Sequence, residues 1–307
     1  MRTPEPAIPE RVQRHVIGMH CAGCHAVVDV APRQLLSDFI AGTPVHCPGC
    51  GASYDVWGRM VEQLEFGVFG TRYAAVGGNV VTAQVDLRRD QPLMLDFQKL
   101  GIPDAAEIEE IATTPSGSEE GWLHPVFQKD PGPGQPASDN LVIYPVPVGA
   151  GAEENQLSIL IVWTSQTAAA NPAQEELLAG VRAAHRSDPL GAIISLNVAM
   201  ELALGSAMNA WLEIHGIGRG RRKRFLGSEA TYGSQLSVLL PVAAATAGLA
   251  PIPERPRAAL ARLRNLRNDV AHGGLQAATI GGSDIAECIA AAAVGVVYCD
   301  ALRATLA

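Results

Sequence analysis

The chain has 307 residues, 48% of them hydrophobic and 18% charged, with a formal net charge of −8. That length suits two or three domains, and the composition excludes a globally disordered chain. The acidic balance argues against a protein coated in nucleic acid, but it hides an asymmetry. Residues 101–165 carry ten Asp/Glu and a single basic residue, Lys129, whereas residues 216–272 carry ten Lys/Arg against Glu229, Glu254 and Asp269. A local basic field, rather than net charge, is what recruits a polyanion.

The N-terminal Met-Arg-Thr-Pro-Glu-Pro has no apolar signal region, so no secretory signal is expected. Residues 21–50 then place Cys21, Cys24, Cys47 and Cys50 in two C-x2-C pairs with 22 residues between them. A CxxC turn sets two thiolates close enough to hold one metal ion, and two such turns complete a tetrahedral sulfur shell with no open position. The pattern strongly resembles a zinc ribbon, which implies a structural zinc ion. Two disulfides or four unrelated thiols are the bland alternative, and His20, His25 or His46 could replace one cysteine. Paired CxxC motifs fit a reducing compartment, and a cytoplasmic location is expected.

Alternation of apolar and polar residues predicts strands at Val81–Leu87, Leu93–Phe97, Leu141–Val146 and Leu157–Trp163. Residues 115–140, rich in Gly, Pro and Ser, read as loop. From residue 171 the period becomes helical. Asn171-Pro172 with Gln174 predicts an N-cap, a proline in the first turn and a capping box. Asp188-Pro189 repeats the start signal and Gly216 ends the helix. Pro256 opens another, which Gly273-Gly274 stops, and Ser283-Asp284 caps a last helix to about residue 305. The apolar stretch 189–212 contains Asn197, Glu201 and Asn209 and reads as a core helix, so no membrane partner is expected. No internal repeat of 20–50 residues is evident. The expected fold is multidomain: a zinc ribbon over 1–65, an all-β sandwich or barrel-like domain over 66–170, and an all-α bundle over 171–307.

The helix after Pro256 ends Arg267-Asn268-Asp269-Val270-Ala271-His272-Gly273-Gly274. Arg, a polar residue and then His near a helix end within a bundle resembles the R-x4-6-H motif of HEPN domains. Arg14 and His20 also fit the bare spacing, which shows how weak the spacing is without its context. The resemblance covers 171–307. It implies a metal-independent endoribonuclease of the toxin or antiviral type. His272 would be general base on an RNA 2′-OH, Arg267 would stabilise charge on the phosphate and Asn268 would orient one of them, with a 2′,3′-cyclic phosphate as product. It also implies a homodimer.

On a helical wheel of about 100° per residue, Arg267 centres the stripe Leu260, Leu263, Val270. Asn197 and Glu201 fall among Leu190, Ile193, Ile194, Leu204, Met208 and Trp211. A Glu201–Arg267 pair is therefore expected, with a structural ion pair in an inert bundle as the alternative. The run Arg219-Gly-Arg221-Arg222-Lys223-Arg224, together with Arg264, is the candidate RNA-backbone contact, or else a solvated loop. The runner-up function is a non-catalytic dimerisation or adaptor protein that docks a regulatory partner. A ribbon-led DNA-binding regulator is the third reading, disfavoured because residues 15–58 hold only Arg33 as a basic residue. Cys288 and Cys299 read as core packing.

Overall fold

In the computed structural model, placement is described for residues 4–6, 9, 11–14, 17–21, 23–30, 32–66, 70–116, 121–128, 135–136, 141–149, 153–165, 171–274 and 276–307. The chain combines helices with mainly antiparallel sheets, and it forms two compact units. One unit joins residues 1–16 to 78–170; the other joins 17–77 to 171–307. The segment bearing the CxxC pairs thus packs with the C-terminal helices in one unit, and the first 16 residues go with the strands.

The strand unit contains β1 (Glu5–Pro6), β2 (Arg11–Arg14), β5 (Asn79–Arg88), β6 (Leu93–Leu95), β7 (Ala106–Ser116), β8 (Gly121–Phe127), β9 (Gln135–Pro136), β10 (Leu141–Gly149) and β11 (Glu154–Ser165). One sheet has the order β2-β5-β11-β7-β9, the other β1-β6-β10-β8. The alternating residues of β5 meet those of β11 in register: Val85 opposite Leu157, Ala83 opposite Ile159 and Val81 opposite Ile161. Their buried faces share one core with Ile108, Leu95, Leu123 and Ile143, which is why the period-2 signal is clean there. Strands also lie where the sequence predicts none, β7 and β8 the longest of them. β8 falls within the expected loop 115–140, of which residues 117–120, 129–134 and 137–140 lie outside the described residues. β7 carries Glu107, Glu109 and Glu110, yet pairs along almost its whole length with β11. Glu109 is buried, and its carboxylate accepts the Thr164 hydroxyl at 3.0 Å.

The second unit begins with the hairpin β3 (Ile17–His20) and β4 (Val27–Val30), followed by α1 (Pro32–Ile40), α2 (Val56–Phe66) and α3 (Gly70–Ala75). The C-terminal helices are α4 (Pro172–His185), α5 (Pro189–Ile214), α6 (Arg219–Arg224), α7 (Tyr232–Ser234), α8 (Leu240–Thr246), α9 (Glu254–Ala271) and α10 (Gly282–Leu306). Asn171 and Asp188 cap α4 and α5 through their side chains, accepting from Ala173 and Gly191 backbone N–H. The expected capping box at Gln174 does not form. That side chain is buried and its amide donates to the Val76 carbonyl, joining α4 to the chain after α3. Gly216 and Gly273, both left-handed, end α5 and α9. Asp284 sits in the first turn of α10 rather than before it, and its carboxylate accepts the Gly281 N–H at 2.9 Å.

α5 and α10 are each long and apolar enough to cross a membrane by length and composition alone. Core helices of a globular bundle pass the same test. α10 has Ile289, Ala293, Val294, Cys299 and Leu302 all at 1% exposure or less, surrounded by the other helices of its unit. Close helix approach is built in by glycine. A Cβ at Gly295 of α10 would lie 2.4 Å from the Met200 sulfur and 3.1 Å from Leu260, and one at Gly180 of α4 would lie 2.7 Å from Leu196.

Candidate metal centre and the end of helix α9

The first CxxC pair forms the tip of the β3–β4 hairpin. The Cys21 N–H donates to the Ala26 carbonyl and the His25 N–H to the Cys21 carbonyl, both at 2.9 Å. The second pair repeats these bonds: Cys47 N–H to Ala52 carbonyl and Gly51 N–H to Cys47 carbonyl, both at 2.8 Å. Gly23 and Gly49 N–H each donate to the first sulfur of their own turn at 3.3 Å. The two turns are one motif, His-Cys-x-Gly-Cys-x-Ala, starting at His20 and again at His46. The second turn follows the first by 26 residues, so a short repeat does lie within the 20–50-residue range where none is expected. His25 and Gly51 occupy equivalent positions, with φ of 59° and 72°. His25 and His46 are exposed, and the clustered ligand atoms are the four cysteine sulfurs, all within 4.8 Å of one another.

Cys21 lies 3.6 Å from Cys50 and Cys24 lies 3.4 Å from Cys47, sulfur to sulfur. A metal–sulfur bond of about 2.3 Å implies a tetrahedral sulfur–sulfur edge of about 3.8 Å, so the set fits a metal ion with modest expansion. The electrostatics agree. The backbone amides of Cys24 and Gly23 hold the Cys21 thiol below its ordinary range. Burial works against the Cys47 thiolate, but the Cys50 and Gly49 amides and the Cys24 thiol outweigh it and hold Cys47 down to about 6. Cys24 is pushed up to about 12: the Ala26 amide favours its thiolate, but Cys47 and burial prevail. Cys50 is raised as well, the Cys21 thiol overriding the Ala52 amide. The four thiols are strongly coupled, and a divalent cation can take the place of their protons. Glycine at position 49 eases this approach, since a Cβ there would lie 3.1 Å from Ala26 and 3.2 Å from the Cys24 sulfur.

Two contacts tie the second turn to the helices. The Tyr54 hydroxyl donates to the Ala26 carbonyl at 3.4 Å. Asp55 accepts the Gly58 N–H at the start of α2 and pairs with Arg255, in the first turn of α9, at 2.7 Å. The Arg255 guanidinium holds the Asp55 carboxyl below the usual carboxylate range.

At the other end of α9, Arg267 and Asn268 are half-buried, and Arg267 Nη1 donates to Asn268 Oδ1 at 3.4 Å. His272 is the residue that closes the helix. Its backbone N–H donates to the Asn268 carbonyl at 3.0 Å and its side chain is exposed. The expected Glu201–Arg267 pair does not form among the described residues. Glu201 instead accepts the Asn197 side-chain amide at 2.8 Å, one turn away on its own helix. The wheel fixes which side of a helix faces inward, not which neighbour a long side chain reaches. Ile194, placed inward by the same wheel, is 43% exposed. The polar group near Glu201 that the sequence reading misses is Tyr232. Burial, then the Glu201 carboxylate, push its hydroxyl above the ordinary range, with Arg264 opposing. Asn197 Oδ1 and the Tyr232 hydroxyl are both buried without a hydrogen-bond partner among the described residues.

The basic run is divided by the fold. Arg222 is buried and gives all three donor groups to the bundle: Asn209 at 2.9 Å, the Ile217 carbonyl at 2.7 Å and Glu213 at 3.1 Å. Arg224 pairs with Glu229 at 3.0 Å. The Arg264 guanidinium lies flat against Gly233, where a Cβ would come within 2.8 Å of it. Arg219, Arg221 and Lys223 are exposed. Arg262 is held by Asp284 and Glu287 of α10. In comparison with known proteins, no family model matches the chain, and no curated protein or solved structure is detectably similar to it.

Proposed function

We propose that the chain is a metal-independent endoribonuclease of HEPN type, with a zinc ribbon as a structural element of its helical unit and a separate all-β domain. The observation that carries this reading is the meeting of Arg267, Asn268 and His272 at one end of α9. Asn268 receives the Arg267 guanidinium on its side chain and the His272 N–H on its carbonyl, while the imidazole stands in solvent. Imidazole can accept a proton near neutral pH. His272 would take the proton of an RNA 2′-OH, the 2′ oxygen would bond to phosphorus as the bond from phosphorus to the 5′ oxygen breaks, and the 5′ oxygen would leave as a hydroxyl with a proton from the imidazolium or from water. Arg267 would stabilise the charge that accumulates on the phosphate oxygens. The closed sulfur set suits zinc and leaves it no coordination position for chemistry.

A homodimer belongs to this reading. Ile194, Val198, Leu202 and Gly205 form one stripe on α5, with Ile194 and Leu202 each more than 40% exposed. A second copy covering that stripe supports catalysis if it brings two α9 ends together. The same stripe favours the second reading, a non-catalytic dimerisation or docking protein.

The test is cleavage of labelled single-stranded RNA by zinc-loaded protein in buffer without added metal, with the ends of the products analysed. Wild type should give 2′,3′-cyclic phosphate ends, and His272→Ala and Arg267→Ala should not. Wild type that binds RNA but never cuts it moves the assignment to the docking protein. Cleavage retained in His272→Ala makes the Arg-Asn-x-x-x-His pattern a chance match.

A further inference from the structure

The arrangement of the four sulfurs suits a second chemistry besides holding a metal. Two contacts run across the turns: Cys24 meets Cys47 at 3.4 Å and Cys21 meets Cys50 at 3.6 Å. Each of these pairs joins an exposed thiol to a buried one. Cys24 and Cys50 are exposed, whereas Cys47 is at 3% and Cys21 at 4% exposure. An oxidant in solvent therefore reaches one member of each pair, and the other lies at contact distance from it. Sensor thiols are built in this way, from an accessible attacking sulfur and a resolving one. The buried members are held by their own turns, since the Gly23 and Gly49 N–H donate to the Cys21 and Cys47 sulfurs. A disulfide bond of about 2.05 Å needs ~1.5 Å of closure in each pair, and that movement falls to the exposed members. The other two cysteines, Cys288 and Cys299, are buried in α10, so Cys24 and Cys50 are the only exposed thiols.

We propose that hydrogen peroxide converts the metal-loaded set into two crossed disulfides, Cys24–Cys47 and Cys21–Cys50, which releases the metal while the two turns stay joined. This rests on the reading of the set as a zinc ribbon and is independent of the ribonuclease chemistry. Bound metal keeps all four sulfurs as thiolates. In each pair the exposed thiolate attacks one peroxide oxygen; the O–O bond breaks, hydroxide leaves and a sulfenic acid forms. The buried thiolate then attacks that sulfur, the S–O bond breaks and a second hydroxide leaves. Solvent protons turn the hydroxides into water. Each pair gives up two electrons, and the O–O bond of one peroxide takes them. A disulfide sulfur carries no charge to hold a dication, so the ion departs. The new bonds link residues 29 and 23 positions apart, which restrains the unfolded chain and keeps the second turn against the β3–β4 hairpin.

The test uses the zinc-loaded full chain, with its metal content measured first, titrated with hydrogen peroxide. A colorimetric chelator follows zinc release, a non-reducing digest with fragmentation of the linked peptides maps the sulfurs, and circular dichroism follows the helical melt. About two peroxides should be consumed per zinc released. Both crossed links should appear, Cys288 and Cys299 should stay reduced, and dithiothreitol with added zinc should restore the loaded protein. The oxidised, metal-free chain should melt above the chelated, reduced one. Links within a turn, or Cys21–Cys47 with Cys24–Cys50, would overturn the proposal. So would peroxide consumed while zinc stays bound, sulfinic acids that dithiothreitol does not reverse, or an oxidised chain that melts no higher than the chelated one. Folded protein without zinc at the start would instead sink the zinc reading and the release step, and the sulfur map of the oxidised chain would still decide the crossed pairs.

Discussion

Removal of the metal is expected to destabilise the whole helical unit, not the CxxC turns alone. The second turn runs without a break through Tyr54 and Asp55 into α2, whose Val56, Trp57, Met60 and Leu64 are at 5% exposure or less. Each such side chain contributes ~1.5–3 kcal/mol of burial, and all four depend on the orientation in which residues 47–55 deliver the helix. A site occupied at a thousandfold over its dissociation constant stabilises the folded state by about 4 kcal/mol. For a unit of about 200 residues, where 1 kcal/mol moves the midpoint by about 2–4 °C, chelation should lower the helical melt by about 8–16 °C. Cys47→Ser, which removes a buried sulfur from the set, should behave as chelated wild type and gain nothing from added zinc. The assay is metal analysis of purified protein together with far-UV circular dichroism melts, with and without chelator. A helical melt unmoved after the metal has demonstrably gone would refute the coupling. Folded wild type that never contained metal would refute the site.

Three further outcomes follow from single positions. Asp55→Ala should cost about 1–2 kcal/mol at neutral pH, mostly through loss of the α2 cap, since its exposed pair with Arg255 adds little. The Asp55 carboxyl is depressed in the folded state, so its contribution is present above the ordinary carboxylate range and is lost as pH falls through the folded value. The gap between wild type and variant in chemical denaturation should therefore close in acid. Gly295→Ala should lower the melting temperature despite a helix-propensity gain of about 1 kcal/mol, because the added methyl overlaps Met200 and overpacking costs about 1–3 kcal/mol; a stabilised variant would show that α5 and α10 are not in that contact. His25→Gly should raise the stability of zinc-loaded protein by up to about 1 kcal/mol, because a left-handed histidine occupies the place that glycine holds in the second turn; unchanged or lower stability in denaturant titration would place its exposed side chain in a compensating contact.

What the sequence reveals of this chain depends on how local the cause is. The CxxC turns, the Asn171 and Asp188 caps and the alternation in β5 and β11 each follow from a few adjacent residues, and each is legible. β7 is not, because its Glu109 is buried against Thr164, a partner 55 residues away. β8 carries Pro125 and sits between turn-forming residues, so local signals argue for loop while the ladder to β10 decides otherwise. The grouping of residues 17–77 with 171–307 is likewise set by distant contacts, such as the packing of α1 and α2 on α10 and the bond of Gln174 to Val76. At the candidate catalytic end of α9 the residue types are legible in order. Their contacts are not: an arginine placed by a wheel can serve Glu201, Asn268 or solvent.

The division of the basic residues bears on the ribonuclease reading quantitatively. Ten Lys/Arg between 216 and 272 suggest a broad polyanion surface, but the fold engages half of them. Arg222 is bonded into the bundle, Arg255 to Asp55, Arg262 to Asp284 and Glu287, Arg224 to Glu229, and Arg264 against Gly233. Of the six side chains that the sequence nominates for RNA, Arg219, Arg221 and Lys223 remain exposed and outside the ion pairs among the described residues. Single-strand binding loses affinity with salt at a log–log slope of about −0.7 per neutralised phosphate. Three contacts give a slope of about −2, and all six would give about −4. Titration of a short labelled RNA across a salt series, with His272→Ala to prevent cleavage, separates the two. A slope near −2 that flattens further in Arg221→Gln, and is unchanged in Lys99→Gln, fits the exposed trio. A slope near −4 would mean that Arg222, Arg224 and Arg264 leave their partners when RNA binds, and the division drawn here between structural and RNA-facing arginines would be wrong.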